Sequence, residues 1–239
     1  MRTTLLLFAS MLVIAFSASA QSVEVTFTHF RAPNRVEFDY TVLKPASFDP
    51  AKSYEAVFAF PSGDMGQDDI RWAADNYWGE AADRDWLIVI PTIPEQSWHT
   101  HPSHHALEAM MEKVKEDYKI VDGTFHLTGH GEGSRAAITY ANMSRKYFKT
   151  FTVSNPTPWD RWDDRDLKNW PRLNSHMPVR ILVGENDSEG MASAERVEKI
   201  FREGGLAVTV NVVNDAGKEI ESLHGGRMLN EIAKNADSN

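Results

Sequence analysis

Apolar residues recur along this chain at two periods. Val23 to Phe27 and Val36 to Val42 alternate apolar with polar residues, the pattern of strands with one buried face. They predict an antiparallel pair at a sheet edge. Tyr54 to Phe60 and Trp86 to Ile90 are almost unbroken apolar runs, as expected of central parallel strands buried on both faces. Further strands are predicted at Phe125 to Thr128, Phe151 to Ser154, Val179 to Val183 and Ala207 to Val213. Helical spacing falls between them, at about 68–84, Ala106 to Tyr118, 134–146, Ala192 to Glu203 and Arg227 to Lys234. Strands alternating with helices predict an α/β fold, a mostly parallel sheet of about eight strands covered on both faces. No repeat, low-complexity tract or linker interrupts the rhythm, so residues 21–239 are expected to form one domain.

The segment 155–177 breaks that rhythm. It is long for a connection between two strands and carries Trp159, Trp162 and Trp170, three of the seven tryptophans. It is read as a crossover helix whose aromatics pack on the sheet. The other reading is a short lid, with Trp159 and Trp162 stacking on a ligand.

The N-terminus changes the expected compartment. Residues 1–20 hold one basic residue, Arg2, an apolar run from Leu5 to Phe16, and the small residues Ser17-Ala18-Ser19-Ala20. This is the pattern of a secretory signal peptide cleaved after Ala20, with an apolar run too short to span a bilayer. The expected location is periplasmic or extracellular. The chain has no cysteine, so its stability must come from its core, which about 220 residues can supply. Beyond the leader, 24 basic residues face 34 acidic ones, a net charge of −10. An acidic surface argues against nucleic acid and against anionic membranes as partners.

The chemistry concentrates in Thr124 to Arg135, TFHLTGHGEGSR. A short apolar strand ends at Gly129, passes through His130-Gly131-Glu132-Gly133 and opens into a helix. Strand, sharp glycine turn and helix make the shape of a nucleophile elbow. Gly129 and Gly133 stand two residues either side of its centre, where the turn leaves no room for a side chain. At the centre itself, where the motif carries Ser, stands Gly131. Ser134 is no substitute, because it falls inside the first helical turn with Glu132 where a small residue is needed. Glu132 is off-centre by one residue, which on a sharp turn reverses its direction. The glycines also invite comparison with a dinucleotide site. Ser134 occupies the place of its last glycine, the motif lies mid-chain, and no acidic residue ends the next strand. No cofactor is expected.

In Trp98 to His105, four histidines fall within seven residues, His99 to His105. Converging imidazoles bind zinc or copper, but no carboxylate or cysteine follows at ligand spacing, and the adjacent His104 and His105 face different ways on a helix. The stretch is read as a polar rim on the side of the elbow, with Ser103 capping the next helix and no metal.

Five stretches, taken in order, resemble the α/β-hydrolase superfamily, in particular small secreted esterases related to dienelactone hydrolases and polyhydroxybutyrate depolymerases. FDPAKSYEAVFAFPSG resembles their strand leading into the oxyanion loop, and ADRDWLIVIP the strand that follows. VDGTFHLTGHGEG resembles the elbow, MPVRILVGENDSEGMASAERVEKIFREGG the acid strand with its helix, and VTVNVVNDAGKE the strand leading to the catalytic His. The resemblance implies a three-layer α/β-hydrolase sandwich, with Asp187 as the triad acid and an oxyanion hole built from the Glu132 N–H and an N–H near Ser62 or Gly63. It places Gly131 at a vacant nucleophile position and Lys218 where the base His belongs, with His224 as a possible substitute base. His130 is expected beside the pocket. The implied protein is a non-catalytic or very weakly active relative of carboxylesterases that binds a small ester, carboxylate or sugar-linked ligand, with Lys218 turned inward to complement an anion. The alternative is an active ester hydrolase using water activated by His224 or Lys218.

Overall fold

In the computed structural model, residues 25–79, 84–93, 101–157 and 164–237 are described. The strands are β1 (Thr28–Arg31), β2 (Glu37–Leu43), β3 (Glu55–Phe60), β4 (Trp86–Pro91), β5 (Phe125–His130), β6 (Phe148–Ser154), β7 (Val179–Gly184) and β8 (Val208–Val213). They form one sheet in the order β1-β2-β4-β3-β5-β6-β7-β8. β1 pairs antiparallel with β2, and β2 antiparallel with β4. Every other pairing is parallel. The N-terminal strand falls at 28–31; of the expected 23–27, residues 25–27 lie outside any strand and 23–24 outside the described residues. Its register is set by the turn at 32–36, where the Arg35 N–H bonds the Ala32 carbonyl and Arg35 takes a left-handed conformation.

The helices are α1 (Gln67–Ala73), α2 (His101–Asp117), α3 (Glu132–Met143), α4 (Asp164–Leu173), α5 (Ser188–Glu203) and α6 (Arg227–Ala236). Residue parity along the strands divides them between two layers. In β3, Ala56, Phe58 and Phe60 face a core shared with α2, α3, α4 and α5. Val57 and Ala59 face the opposite core, shared with α1 and α6. Burial on both faces is what the unbroken apolar runs require. α1 is shorter than its sequence pattern, because it passes at Ala74–Trp78 into a wide π-helical turn that buries Tyr77 and Trp78. Such turns rotate the following side chains off the regular helix face, and here the rotation brings Tyr77 to the carboxyl ends of the strands.

Candidate functional site

β5 delivers the chain into the elbow with a conformation that only glycine adopts readily. Gly131 has φ 52° and ψ −122°, a sparsely populated region that costs a side-chain-bearing residue on the order of 1–3 kcal/mol. The turn is held on both sides. The Gly131 N–H donates to the Ser154 carbonyl at 3.0 Å, and its carbonyl accepts from the Ser134 N–H at 3.0 Å and the Ser134 hydroxyl at 2.6 Å. A Cβ on Gly129 would stand 2.4 Å from the Gly133 oxygen, and one on Gly133 would stand 2.1 Å from the Phe60 oxygen. These small residues are therefore demanded by backbone approach, as the motif requires. Ser134 is fully buried and spends its hydroxyl on the turn.

The centre of the elbow is filled from across the site. A Cβ on Gly131 would meet the Ser62 Oγ at 2.5 Å, so the Ser62 hydroxyl stands in the room left by the missing side chain. Ser62 donates to the Glu132 Oε2 at 2.8 Å, and the Gly63 N–H points at the same oxygen at 3.4 Å. Burial pushes the Glu132 carboxyl up, but the Ser62 hydroxyl, its own and the Gly63 amides, and His130 outweigh it and hold the carboxyl below its ordinary value. The Gly63 amide expected to receive a ligand oxygen thus points at the Glu132 carboxylate, and the Glu132 amide helps keep that carboxyl ionised.

Asp187, Lys218 and His224 do not form a relay. Asp187 is buried and caps α5, accepting the Gly190 N–H at 3.0 Å. Lys218 turns outward, 77% exposed, and its ammonium pairs with Glu189 at 3.0 Å. The inward Lys218 expected from the sequence is not observed, because Glu189 in the first turn of α5 offers the nearer carboxylate. That hydrogen bond and charge raise the Lys218 pKa and keep it a cation rather than a base. The His224 Nε2 lies 2.7 Å from the Glu219 Oε1. The loop carrying Lys218 is fixed by Asn155, whose amide donates to the Gly217 and Lys218 carbonyls and whose oxygen accepts from Gly184 N–H at 2.9 Å.

A second polar network lies behind the elbow. The Tyr77 hydroxyl donates to Glu219 at 2.7 Å and lies 3.3 Å from the His130 Nε2, while the His130 Nδ1 is 2.8 Å from the Ser154 hydroxyl. Burial lowers the His130 pKa against the raising effect of Glu219, which favours the neutral ring. Tyr77 is pushed up by burial and then by the Glu219 bond and charge. Sequence reasoning missed Tyr77, Ser154, Asn155, Glu189 and Glu219. Only Glu219, adjacent to Lys218, carried a usable sequence cue.

Together these residues enclose a pocket of about 210 Å³ lined by Ser62, His130, Gly131, Glu132, Asp187 and Lys218, with Asn155, Glu189 and Glu219 on its walls. Gly63 joins this group through its N–H to Glu132, and the other sequence candidates converge, with two exceptions. His224 is not among the pocket-lining residues and reaches the site through Glu219 and through the Tyr77 ring, which it meets edge-on at 5.1 Å. Trp159 and Trp162 lie outside the described residues. Trp170, from the same segment, is fully buried, stacked 4.5 Å from the Phe201 ring and tilted 5.1 Å from the Phe151 ring. That part of the segment is a packed crossover helix.

The histidine-rich stretch departs from expectation. α2 begins at His101, so Ser103 lies inside its first turn rather than capping it. His104 is buried against Tyr140 and Ser144, about 20 Å along α3 from the elbow at 1.5 Å rise per residue. His105 approaches Glu108 at 3.4 Å. His99 lies outside the described residues, and among those described no group of three His, Cys, Asp or Glu side chains is placed to hold a metal.

No family model matches the chain, and no curated protein does. Solved structures do. A CE1 ferulic acid esterase from Anaeromyces mucronatus superposes with a TM-score of 0.66 at 14% identity, over 90% of this chain and 92% of that one. A thermostable esterase gives 0.64 at 18% identity, over 89% and 61%. The fold is that of the α/β-hydrolases. A putative dipeptidyl aminopeptidase IV from Bacteroides ovatus gives 0.65 at 11% identity over 90% of this chain, which spans 36% of that protein's length.

Proposed function

We propose that this is an exported, non-catalytic relative of esterases that retains the pocket of an α/β-hydrolase and uses it to hold a small ligand. One observation carries the proposal. The elbow keeps its strained backbone around Gly131, yet the attacking atom is missing and Asp187, Lys218 and His224 are each engaged elsewhere. Nucleophilic catalysis needs a hydroxyl, a base within hydrogen-bond reach and a group that orients the base. Here Asp187 stands in for the acid, Gly131 marks the vacant nucleophile and Lys218 takes the place of the base.

The geometry favours this over hydrolysis by activated water. Lys218 is held protonated by Glu189, and the Nε2 of His224 is engaged by the Glu219 carboxylate. The ligand classes read from the sequence were an ester, a carboxylate or a sugar-linked molecule. Glu132, Asp187, Glu189 and Glu219 around the pocket against Lys218 favour the uncharged ones. One neighbouring esterase is described in complex with ferulic acid, which makes methyl ferulate a sensible uncharged probe and ferulate its charged control. The finer kinship with dienelactone hydrolases and polyhydroxybutyrate depolymerases rests on the five sequence stretches. Export rests on residues 1–20, with cleavage after Ala20.

The test combines turnover with binding. Protein beginning at Gln21 is assayed on p-nitrophenyl acetate and butyrate beside Lys218→Ala and His224→Ala, and titrated with methyl ferulate by calorimetry. The expected result is a residual rate that neither substitution changes, with binding of the ester. Turnover that collapses in either variant establishes water-activated hydrolysis and overturns the proposal.

A further inference from the structure

Gly131, Ser62 and Glu132 act together at the elbow. Where Gly131 lacks a side chain, the Ser62 hydroxyl moves into the space, 2.5 Å from the absent Cβ position. From there it donates to Glu132 at 2.8 Å, while the Gly63 N–H reaches the same carboxylate oxygen at 3.4 Å. Glu132 sits on the first residue of α3, where its own N–H and the helix dipole favour a negative charge. An oxyanion hole is a pair of donors aimed at a developing negative oxygen. In this protein a negative oxygen is already present.

We infer that Glu132 is an internal plug of the elbow's amide pair, bound in the place of a substrate or ligand oxygen and closing the site to carboxylates. The plug deepens the non-catalytic reading and depends on it for the identity of the amide pair. It also names which residue sets ligand class, because a ligand carboxylate entering the pocket meets the Glu132 charge as well as finding its donors taken. Other charged groups facing the site do not replace it. Asp187 bonds the α5 amide of Gly190, Glu189 is paired with Lys218, and Glu219 is shared between Tyr77 and His224. His130, favoured neutral by its burial, adds no fixed positive charge that would draw an anion past Glu132. Gly131 takes part in the closure, since a side chain there would displace Ser62 and leave Glu132 held by backbone amides alone.

The experiment follows the Gly63 and Glu132 amide resonances by ¹⁵N–¹H NMR during an acid titration of the parent and of Glu132→Gln. It is paired with benzoate titrations of the parent and Glu132→Ala at neutral pH. The Gly63 amide of the parent is expected to titrate with a midpoint below the ordinary carboxylate value, and this step disappears in Glu132→Gln. Benzoate is expected to bind Glu132→Ala at least about tenfold more tightly than the parent and to shift the Gly63 amide, since one charged hydrogen bond is worth at least a decade in affinity. A Gly63 amide that does not move through the titration overturns the plug. So does benzoate binding that is equal, or equally absent, in parent and Glu132→Ala. Because the Asp69 carboxylate also lies against Gly63, the step that the parent shows and Glu132→Gln lacks decides the matter if Glu132→Ala fails to fold. Fast ester turnover by the parent sinks the non-catalytic reading and leaves the amide titration to judge the plug on its own.

Discussion

Placing a serine at Gly131 would complete the elbow motif, and the packing around Gly131 says it will cost stability before it adds chemistry. In Gly131→Ser the new Cβ lies 2.5 Å from the Ser62 Oγ and 3.2 Å from the Ser62 Cβ. The hydroxyl must swing away, giving up its 2.8 Å bond to Glu132. A hydrogen bond to a charged group is worth about 1.5–3 kcal/mol, and about 1 kcal/mol is a fair figure at this partly solvated position. The backbone at φ 52° and ψ −122° adds about 1–3 kcal/mol of strain for a residue with a Cβ. Loss of glycine's freedom in the unfolded chain returns about 0.5–1 kcal/mol. The balance is roughly 2 kcal/mol of destabilisation, which for a domain of this size lowers the melting temperature by about 4–8 °C. Urea unfolding of the parent, Gly131→Ser, Ser62→Gly and the double variant measures it, and the cycle isolates the clash. Ser62→Gly should recover about half of the loss. A Gly131→Ser variant within about 0.5 kcal/mol of the parent refutes the packing account, since that is the range of an inconsequential surface change.

Other expected outcomes follow from the same geometry. Gly131→Ser/Lys218→His is expected to hydrolyse p-nitrophenyl butyrate slowly, and adding Glu132→Ala should raise kcat/KM by at least about tenfold, because one oxyanion donor alone is worth about 10²–10³. His126, buried at the opposite end of the strands beside Glu55, Lys149 and Thr150, has its pKa lowered to about 4, first by burial and then by Lys149. The unfolded chain binds that proton at about 6.5, so this stability is complete above about pH 6.5 and is lost as pH falls toward 4. The loss reaches roughly 2–3 kcal/mol near pH 4.5. Urea unfolding of the parent and His126→Gln at neutral and acid pH should show the extra acid sensitivity in the parent alone. Trp170→Ala, which empties a site between Phe151 and Phe201, should cost about 3–5 kcal/mol in the same assay. Asn155→Ala strands the buried Gly184 N–H and should cost about 1–3 kcal/mol, together with faster amide exchange at 217–219.

The layered fold was legible because strand and helix periods differ and the central strands are apolar on both faces. Tyr54 to Phe60 and Trp86 to Ile90 announced β3 and β4 to within a residue. The edge was not legible, since Thr28–Arg31 is mostly exposed and takes its place from a turn rather than from a buried stripe. The elbow could be read from its glycines, whose spacing follows from backbone approach. What side chains do around it could not. Lys218 faces Glu189 and His224 faces Glu219, choices made by partners brought from other elements. Tyr77 reaches the site only because α1 ends in a π turn, and nothing in Ala74 to Trp78 signals that change of pitch.

The central claim is that this hydrolase scaffold carries no working nucleophile. The most direct test is a pre-steady-state assay of p-nitrophenyl butyrate with parent protein in micromolar amounts. The account predicts no burst of p-nitrophenol and a slow linear release no greater than about 10³–10⁴ times the uncatalysed rate, the residue left by binding and backbone donors once a triad is gone. A burst approaching one equivalent per chain, followed by steady turnover, would reveal an acyl-enzyme and contradict it.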